Sequence, residues 1–291
     1  MSEKPLSEQP LSEQLLSEQP SSTQDADSIE VIVDPFEFSG ASFRADNREG
    51  QGADAEPVSS VALCLHGLTG TPYEVRSLGD AIAAVGIDAV GPVLPGHNDT
   101  PQALSRLSHL DWLDAATSHY QALRERYPRV FVVGLSMGGL LSLVLAQRQP
   151  VDALVVVGTP LVLPQRFSWT IPLVKHFLPL PKKQGGSDIR DSAARERHPS
   201  YDVMPLNSVH ELQRLQRLVR GGLSQISCPI LVAHGAHDTT ASPQDARSII
   251  DSVSSDVREQ LVCERSGHVV PVDFDGAMLA KHAAEFLLRH G

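Results

Sequence analysis

The stretch Val132–Leu140, VVGLSMGGL, sets one serine between glycines directly after an apolar, β-branched run. A G-x-S-x-G arrangement is what a sharp strand-to-helix turn demands. Bulky neighbours at the flanking positions would collide as the backbone is pinched to push one side chain outward. Ser136 therefore reads as an exposed hydroxyl at a strand exit. The competing reading is that Gly134, Gly138 and Gly139 mark close helix-to-sheet packing and Ser136 is only a turn residue.

Working outward, short apolar runs alternate with longer helical patterns. Strands are expected over residues 36–45, 61–67, 88–96, 130–136, 153–160, 228–235 and 258–266. Helical spacing appears in YEVRSLGDAIAAVG, LSHLDWLDAATSHYQALRERY, MGGLLSLVLAQRQ and SPQDARSIIDSV. Few polar residues interrupt the β-branched runs, which suits strands covered on both faces. The pattern predicts an α/β fold with a mostly parallel, doubly wound sheet and helices on both faces.

One interval breaks the rhythm. Residues 161–225 hold no convincing strand, many prolines, and one helical stretch, VHELQRLQRLV, with Val209, Leu212, Leu215 and Leu218 on one face. An insertion of that size is expected to form a cap over the strand ends. It divides the core into residues 29–160 and 226–291. Ahead of the core, residues 1–28 repeat at a period of five (PLSEQPLSEQLLSEQP), matching neither helix nor strand, and read as a disordered acidic tail. A partner-binding helix through Leu6, Leu11 and Leu16 is the second reading.

The chain has 291 residues, 41% of them hydrophobic but only 5% aromatic, so an aliphatic core is expected. Its formal charge is −11, but residues 1–30 carry seven acids against Lys4, leaving about −5 for the body. That balance speaks against a nucleic-acid partner, which needs clustered Lys and Arg. Three cysteines, Cys64, Cys228 and Cys263, cannot all pair and lie in or beside apolar segments. They read as buried small hydrophobes in a reducing compartment. No run approaches a membrane span and no basic-then-apolar leader opens the chain, so a cytoplasmic location without membrane insertion is expected. The sequence carries no signal of oligomeric state.

In an open parallel sheet, ligands bind outside the carboxyl ends of the strands. The segments there are HGLTG (66–70), GLSMG (134–138), AHGAHD (233–238) and CERSGHVV (263–270). They supply Ser136, Asp238 and His268. A serine hydroxyl attacks at neutral pH only if a base takes its proton, which His268 could do. The imidazole needs a carboxylate to fix its tautomer and stabilise its cation, for which Asp238 is the candidate. Asp202, Asp245, Asp273 and Asp275 compete for that role. The oxyanion would accept hydrogen bonds from the backbone N–H groups of Met137 and Leu68.

Several histidines have two readings. His66 is either a structural hydrogen-bonder for the HGLTG loop or a substrate contact. His97, in LPGHND, is a loop residue near the site entrance. His234 and His237 with Asp238 resemble the start of a metal cluster, but nothing completes a set of three ligands, so no metal is expected. In the cap, Phe167, Trp169, Ile171, Leu173, Phe177 and Leu178 either pack on one another or line an acyl channel. Phe167, Trp169 and Ile171 are the substrate-binding candidates.

The motifs HGLTG, GLSMGG, HGAHD and SGHVV together resemble the α/β-hydrolase superfamily. LHGLTGTPYEVRSLGDAI, LPGHND and GLSMGGLLSL resemble its small bacterial carboxylesterase and monoacylglycerol lipase branch, over roughly residues 58–290. The resemblance implies a serine hydrolase acting on small-molecule carboxylic esters of short to medium acyl length, monoacylglycerols included, through an acyl-enzyme and without a cofactor. Thioesterase, acyltransferase or related chemistry on the same machinery, and a binding module without activity, are the alternatives.

Overall fold

A computed structural model describes residues 34–40, 60–163, 170–175, 177–183 and 185–291. The repeat tail, Phe167 and Trp169 lie outside the described residues. Elements are numbered in chain order among those described: β1 (Phe36–Phe38), β2 (Ser60–Leu65), α1 (Tyr73–Ala83), β3 (Asp88–Gly91), α2 (Pro101–Ser105), α3 (His109–Arg126), β4 (Arg129–Leu135), α4 (Met137–Arg148), β5 (Leu154–Val157), α5 (Ile171–Val174), α6 (Ser192–Arg197), α7 (Leu206–Gly222), β6 (Ile230–Gly235), α8 (Gln244–Ser252), β7 (Arg258–Cys263) and α9 (Gly276–His290).

The strands form one sheet in the order β1-β3-β2-β4-β5-β6-β7, with β1 antiparallel to β3 and every other pairing parallel. All seven expected strands exist, most of them shorter than the apolar runs suggested. Residues 92–96 and 158–160 leave the ladder because ligand-side loops begin there.

Side chains alternate across this sheet, as a two-residue period requires. Val61, Leu63 and Leu65 join Val132, Val156 and Val232 in a core shared with α3, α4 and α7. Ala62 and Cys64 point the other way, with Val133, Val155 and Leu231, into a core shared with α1 and α9. Helix α4 is buried along its first nine residues, Met137–Leu145, because it lies between the sheet and α7. A helix apolar on all sides fits only such a covered place. The edge strand β7 instead alternates exposed and covered residues up to Cys263, which is buried.

Register brings the carboxyl ends level. Leu65 pairs with Gly134, Leu135 with Val157, Val157 with Ala233, and Gly235 with Cys263. The loops that leave those ends therefore meet along one rim. Between β5 and β6 the chain forms α5, α6 and α7. The last buries Ser208, Leu212, Leu215 and Val219, a stripe rotated from the expected one so that Val209 and Leu218 are only half-buried.

Candidate active site

Ser136 follows β4 and precedes α4, with φ 55° and ψ −114°, a left-handed conformation for a residue with a side chain. Such backbone costs about 1–3 kcal/mol and persists only where its surroundings impose it. Here the Ser136 N–H donates to Val157 O at 2.9 Å, fastening the turn to the neighbouring strand. Gly138 lets α4 start against β2, since a Cβ there would overlap the Leu65 carbonyl.

His268, in the loop after β7, places Nε2 2.9 Å from Ser136 Oγ. Its Nδ1 lies 2.7 Å from Asp238 Oδ2. With a carboxylate on that side, Nδ1–H donates to Asp238 and Nε2 is left to accept the Ser136 hydroxyl proton. Asp238 Oδ1 accepts the N–H groups of Thr240 (2.8 Å) and Ala241 (2.7 Å), so the carboxylate is fixed from both sides. Burial alone would raise the Asp238 pKa. The close approach of His234 and the hydrogen bond from His268 outweigh it, holding the carboxyl well below the usual range. For His268 burial would favour the neutral ring, but the bond to Asp238 and its charge prevail, and the pKa lies above the ordinary value.

The competing aspartates are committed elsewhere. Asp245 accepts the Leu161 N–H, and Asp273 the N–H groups of Arg190, Asp191 and Gly267. Asp275 accepts from Ser266, and Asp202 is exposed. His237 is also exposed, while buried His234 lies 2.8 Å from Asp238 Oδ2 without the alignment of a hydrogen bond.

Opposite the nucleophile, the Met137 N–H is the first of α4 and has no acceptor within the helix. The Leu68 N–H has no acceptor among the described residues. The loop carrying Leu68 is held by a group that sequence reading passed over: Glu74, on α1, accepts the Gly67 N–H at 2.8 Å through Oε2. Its Oε1 lies 2.9 Å from His198 Nε2, and His198 Nδ1 lies 2.7 Å from Ser187 Oγ. Gly70 is required beside it, because a Cβ there would overlap the Glu74 carboxyl. Burial would raise the Glu74 pKa, but the hydrogen bond from His198 and the electrostatic pull of its neighbours outweigh it and keep the pKa lowered. Glu74 gave no signal in sequence, standing in an ordinary helical pattern.

A substrate contact by His66 is corrected by the structure. Its ring is fully buried outside the cavity, where Nε2 accepts the Leu94 N–H at 3.1 Å and Nδ1 faces Gly67 O at 3.0 Å. It ties the loop after β2 to the loop after β3. His97 packs edge-on against His66 and is likewise buried.

Ser136 and His268 open onto a cavity of about 360 Å³. Leu68, Pro160, Leu163, Met204, Val209 and Leu212 supply apolar wall, and Thr69, Glu74, Lys183, Ser187, His198 and Ser200 a polar end. Ile171 is not part of that wall. This too is a correction: α5 packs on α7, and Ile171 is buried there. Leu173, Phe177 and Leu178, expected to pack together or line a channel, are exposed at 67%, 82% and 53%.

A family model described as serine aminopeptidase, S33, matches residues 56–275. The chain belongs to this family. The α/β-hydrolase chain is 31% identical over 234 residues to the thermostable monoacylglycerol lipase of Bacillus sp. (strain H-257), covering 78% of this chain and 90% of that one. It is 27% identical over 226 residues to a carboxylesterase of Bacillus subtilis (strain 168), covering 77% and 91%. Among solved structures, one of the metagenome-derived lipolytic enzymes LipS and LipT shares the fold with a TM-score of 0.77 at 23% identity, covering 89% of this chain and 98% of that one. The monoacylglycerol lipase of Paleococcus ferrophilus does so with a TM-score of 0.70 at 16% identity, covering 88% and 98%.

Proposed function

We propose that this chain hydrolyses carboxylic esters through an acyl-enzyme. Ser136 Oγ attacks the ester carbonyl while His268 Nε2 takes its proton, and Asp238 stabilises the resulting imidazolium. The N–H groups of Leu68 and Met137 donate to the oxyanion. The imidazolium then protonates the departing alkoxide, and a water deprotonated by His268 releases the acid. The observation that carries this is the hydrogen-bonded line Ser136–His268–Asp238, at 2.9 and 2.7 Å, facing a cavity with an apolar wall.

Short to medium acyl esters, monoacylglycerols among them, are the proposed substrates, supported by the two curated relatives. Cleavage of peptide N-termini is less well supported. A substrate ammonium needs a free carboxylate, and among the described residues the carboxylates lining the cavity are Glu74, engaged by Gly67 and His198, and Asp188, whose Oδ2 accepts from Thr239 and Thr240. Residues 161–225 are read as a cap over this cavity. A reducing, cytoplasmic setting completes the reading, supported by free thiols at Cys64, Cys228 and Cys263.

Intact-protein mass spectrometry after fluorophosphonate treatment tests the mechanism. One adduct in the wild type and none in Ser136→Ala is expected, with turnover of p-nitrophenyl esters lost in the variant. A folded wild type that takes no adduct and turns over no ester overturns it. Matched ester, thioester and amide substrates with one acyl group then separate the chemistries that share this machinery.

A further inference from the structure

We propose that Lys183 forms an anion subsite in the catalytic cavity and that the preferred esters carry a carboxylate. The proposal rests on the ester-hydrolase reading and names a substrate class for the same site.

Lys183 lies in the segment between β5 and β6, half-buried, and lines the cavity that holds Ser136 and His268. It donates to Thr69 Oγ1 at 2.7 Å and to Ser200 Oγ at 2.6 Å. Those two oxygens are 3.3 Å apart, so they form one bracket around the ammonium. An ammonium has three N–H donors. Two are met by neutral hydroxyls, and among the described residues no carboxylate oxygen comes within 4.0 Å of this nitrogen.

Drawing a cation out of water is costly unless an opposite charge answers it. Among the described residues no carboxylate answers it by direct contact, although the charges of Glu74 and Asp202 act on it across a distance. Glu74 is engaged by Gly67 and His198, and Asp188 by the donors of Thr239 and Thr240. Among the described residues that line the cavity, Lys183 is a cation with no carboxylate in direct contact. A lysine is a point charge and suits a single carboxylate oxygen better than a bidentate fork would.

Position makes the charge useful to the reaction. Thr69 directly follows Leu68, the proposed oxyanion donor, so the subsite adjoins the place where the ester carbonyl would lie. A second cavity of about 510 Å³ shares Lys183, Ser187, His198 and Ser200 with the first. Its wall carries both signs, Lys182 and Arg195 with Glu196 and Asp202, which leaves Lys183 to set the local preference at the junction. The carboxylate can belong to the acyl part, as in a half-ester of a dicarboxylic acid, or to the alcohol part, as in an ester of a hydroxycarboxylic acid.

Two chromogenic pairs test this on the full-length protein. p-Nitrophenyl hydrogen glutarate against p-nitrophenyl methyl glutarate places the anion on the acyl side. 4-Butyryloxybenzoate against its methyl ester places it on the alcohol side. In at least one pair, kcat/KM for the anionic ester is expected to exceed that of the neutral one by about tenfold or more, as a charge-assisted hydrogen bond gives. The pair that responds identifies the side. The ratio should collapse in Lys183→Met and Lys183→Gln and persist in Lys183→Arg. Wild-type protein alone gives a second reading: glutarate or benzoate should inhibit p-nitrophenyl butyrate hydrolysis competitively. Equal or lower rates for both anionic esters in the wild type, or a ratio unmoved in Lys183→Met, overturn the proposal. In either case turnover of p-nitrophenyl butyrate that Ser136→Ala abolishes keeps the ester reading. If no ester is turned over at all, both fall.

Discussion

Glu74 Oε1 and His198 Nε2 meet at 2.9 Å with both side chains buried, joining α1 to the segment between β5 and β6 directly behind Gly67. Removing one partner leaves the other charged or polar group stranded, which costs about 3–5 kcal/mol where a pair is fully buried. Glu74→Gln and His198→Ala should each lower the midpoint of thermal unfolding. Glu74→Gln should also reduce kcat about tenfold or more with little change in KM, because the Leu68 N–H loses its support. A kcat equal to that of the wild type would show that the oxyanion loop holds itself.

The strain at Ser136 gives a prediction with an unusual sign. Glycine tolerates φ 55° at no steric cost, whereas alanine does not. Ser136→Gly should therefore be more stable than Ser136→Ala by about 1 kcal/mol, read from denaturant midpoints of the two inactive variants. Equal midpoints would mean that the turn relaxes when the hydroxyl is gone.

Hydrolysis needs His268 neutral, and its pKa is raised by Asp238. The ring is therefore protonated and idle at low pH. kcat/KM should rise with pH through an apparent pKa above the ordinary histidine value of about 6.5. In Asp238→Asn that limb should shift to lower pH, and kcat should fall by about 10³–10⁴, since the amide permits the wrong tautomer. A pH profile centred below 6.5 in the wild type would contradict the assignment.

The packing at Gly138 predicts a failure of assembly. Gly138→Ala sets a methyl group into the Leu65 carbonyl, and α4 cannot withdraw because it is enclosed between the sheet and α7. Overpacking of this kind costs about 1–3 kcal/mol or more. Reduced soluble yield and a lowered unfolding midpoint are expected, and an unchanged midpoint would show that the helix has room to move.

The parts of this molecule that follow a local rule were legible. Ser136, Asp238 and His268 each lie within a few residues of a strand end, and strand ends can be found from apolar runs. The parts that depend on what crosses over the sheet were not. Glu74 and His198 are 124 positions apart, and neither stands beside a strand end or a glycine turn. At the start of HGLTG, His66 could be read either as a hydrogen-bonder for that loop or as a substrate contact, and only the fold shows its ring turned inward to meet the Leu94 N–H. Ile171 was a candidate for a channel wall, whereas the apolar wall that the described residues supply comes from Leu68, Pro160, Leu163, Met204, Val209 and Leu212. Hydrophobicity says that a side chain avoids water. It does not say which of two apolar neighbours will cover it.

The reacting groups come from strands that lie far apart along the chain. Ser136 and His268 are separated by 132 positions, and His268 follows β7, which among the described strands stands at the sheet edge and pairs with β6 alone. Closing so long a loop is slow and entropically costly, so this contact belongs late in assembly. Partly folded chains, with β2, β4 and β5 already paired, would carry the strained serine but no base to activate it. Reactivity toward a fluorophosphonate during refolding is therefore expected to appear only with docking of β7, so that an unfinished chain is spared adventitious acylation.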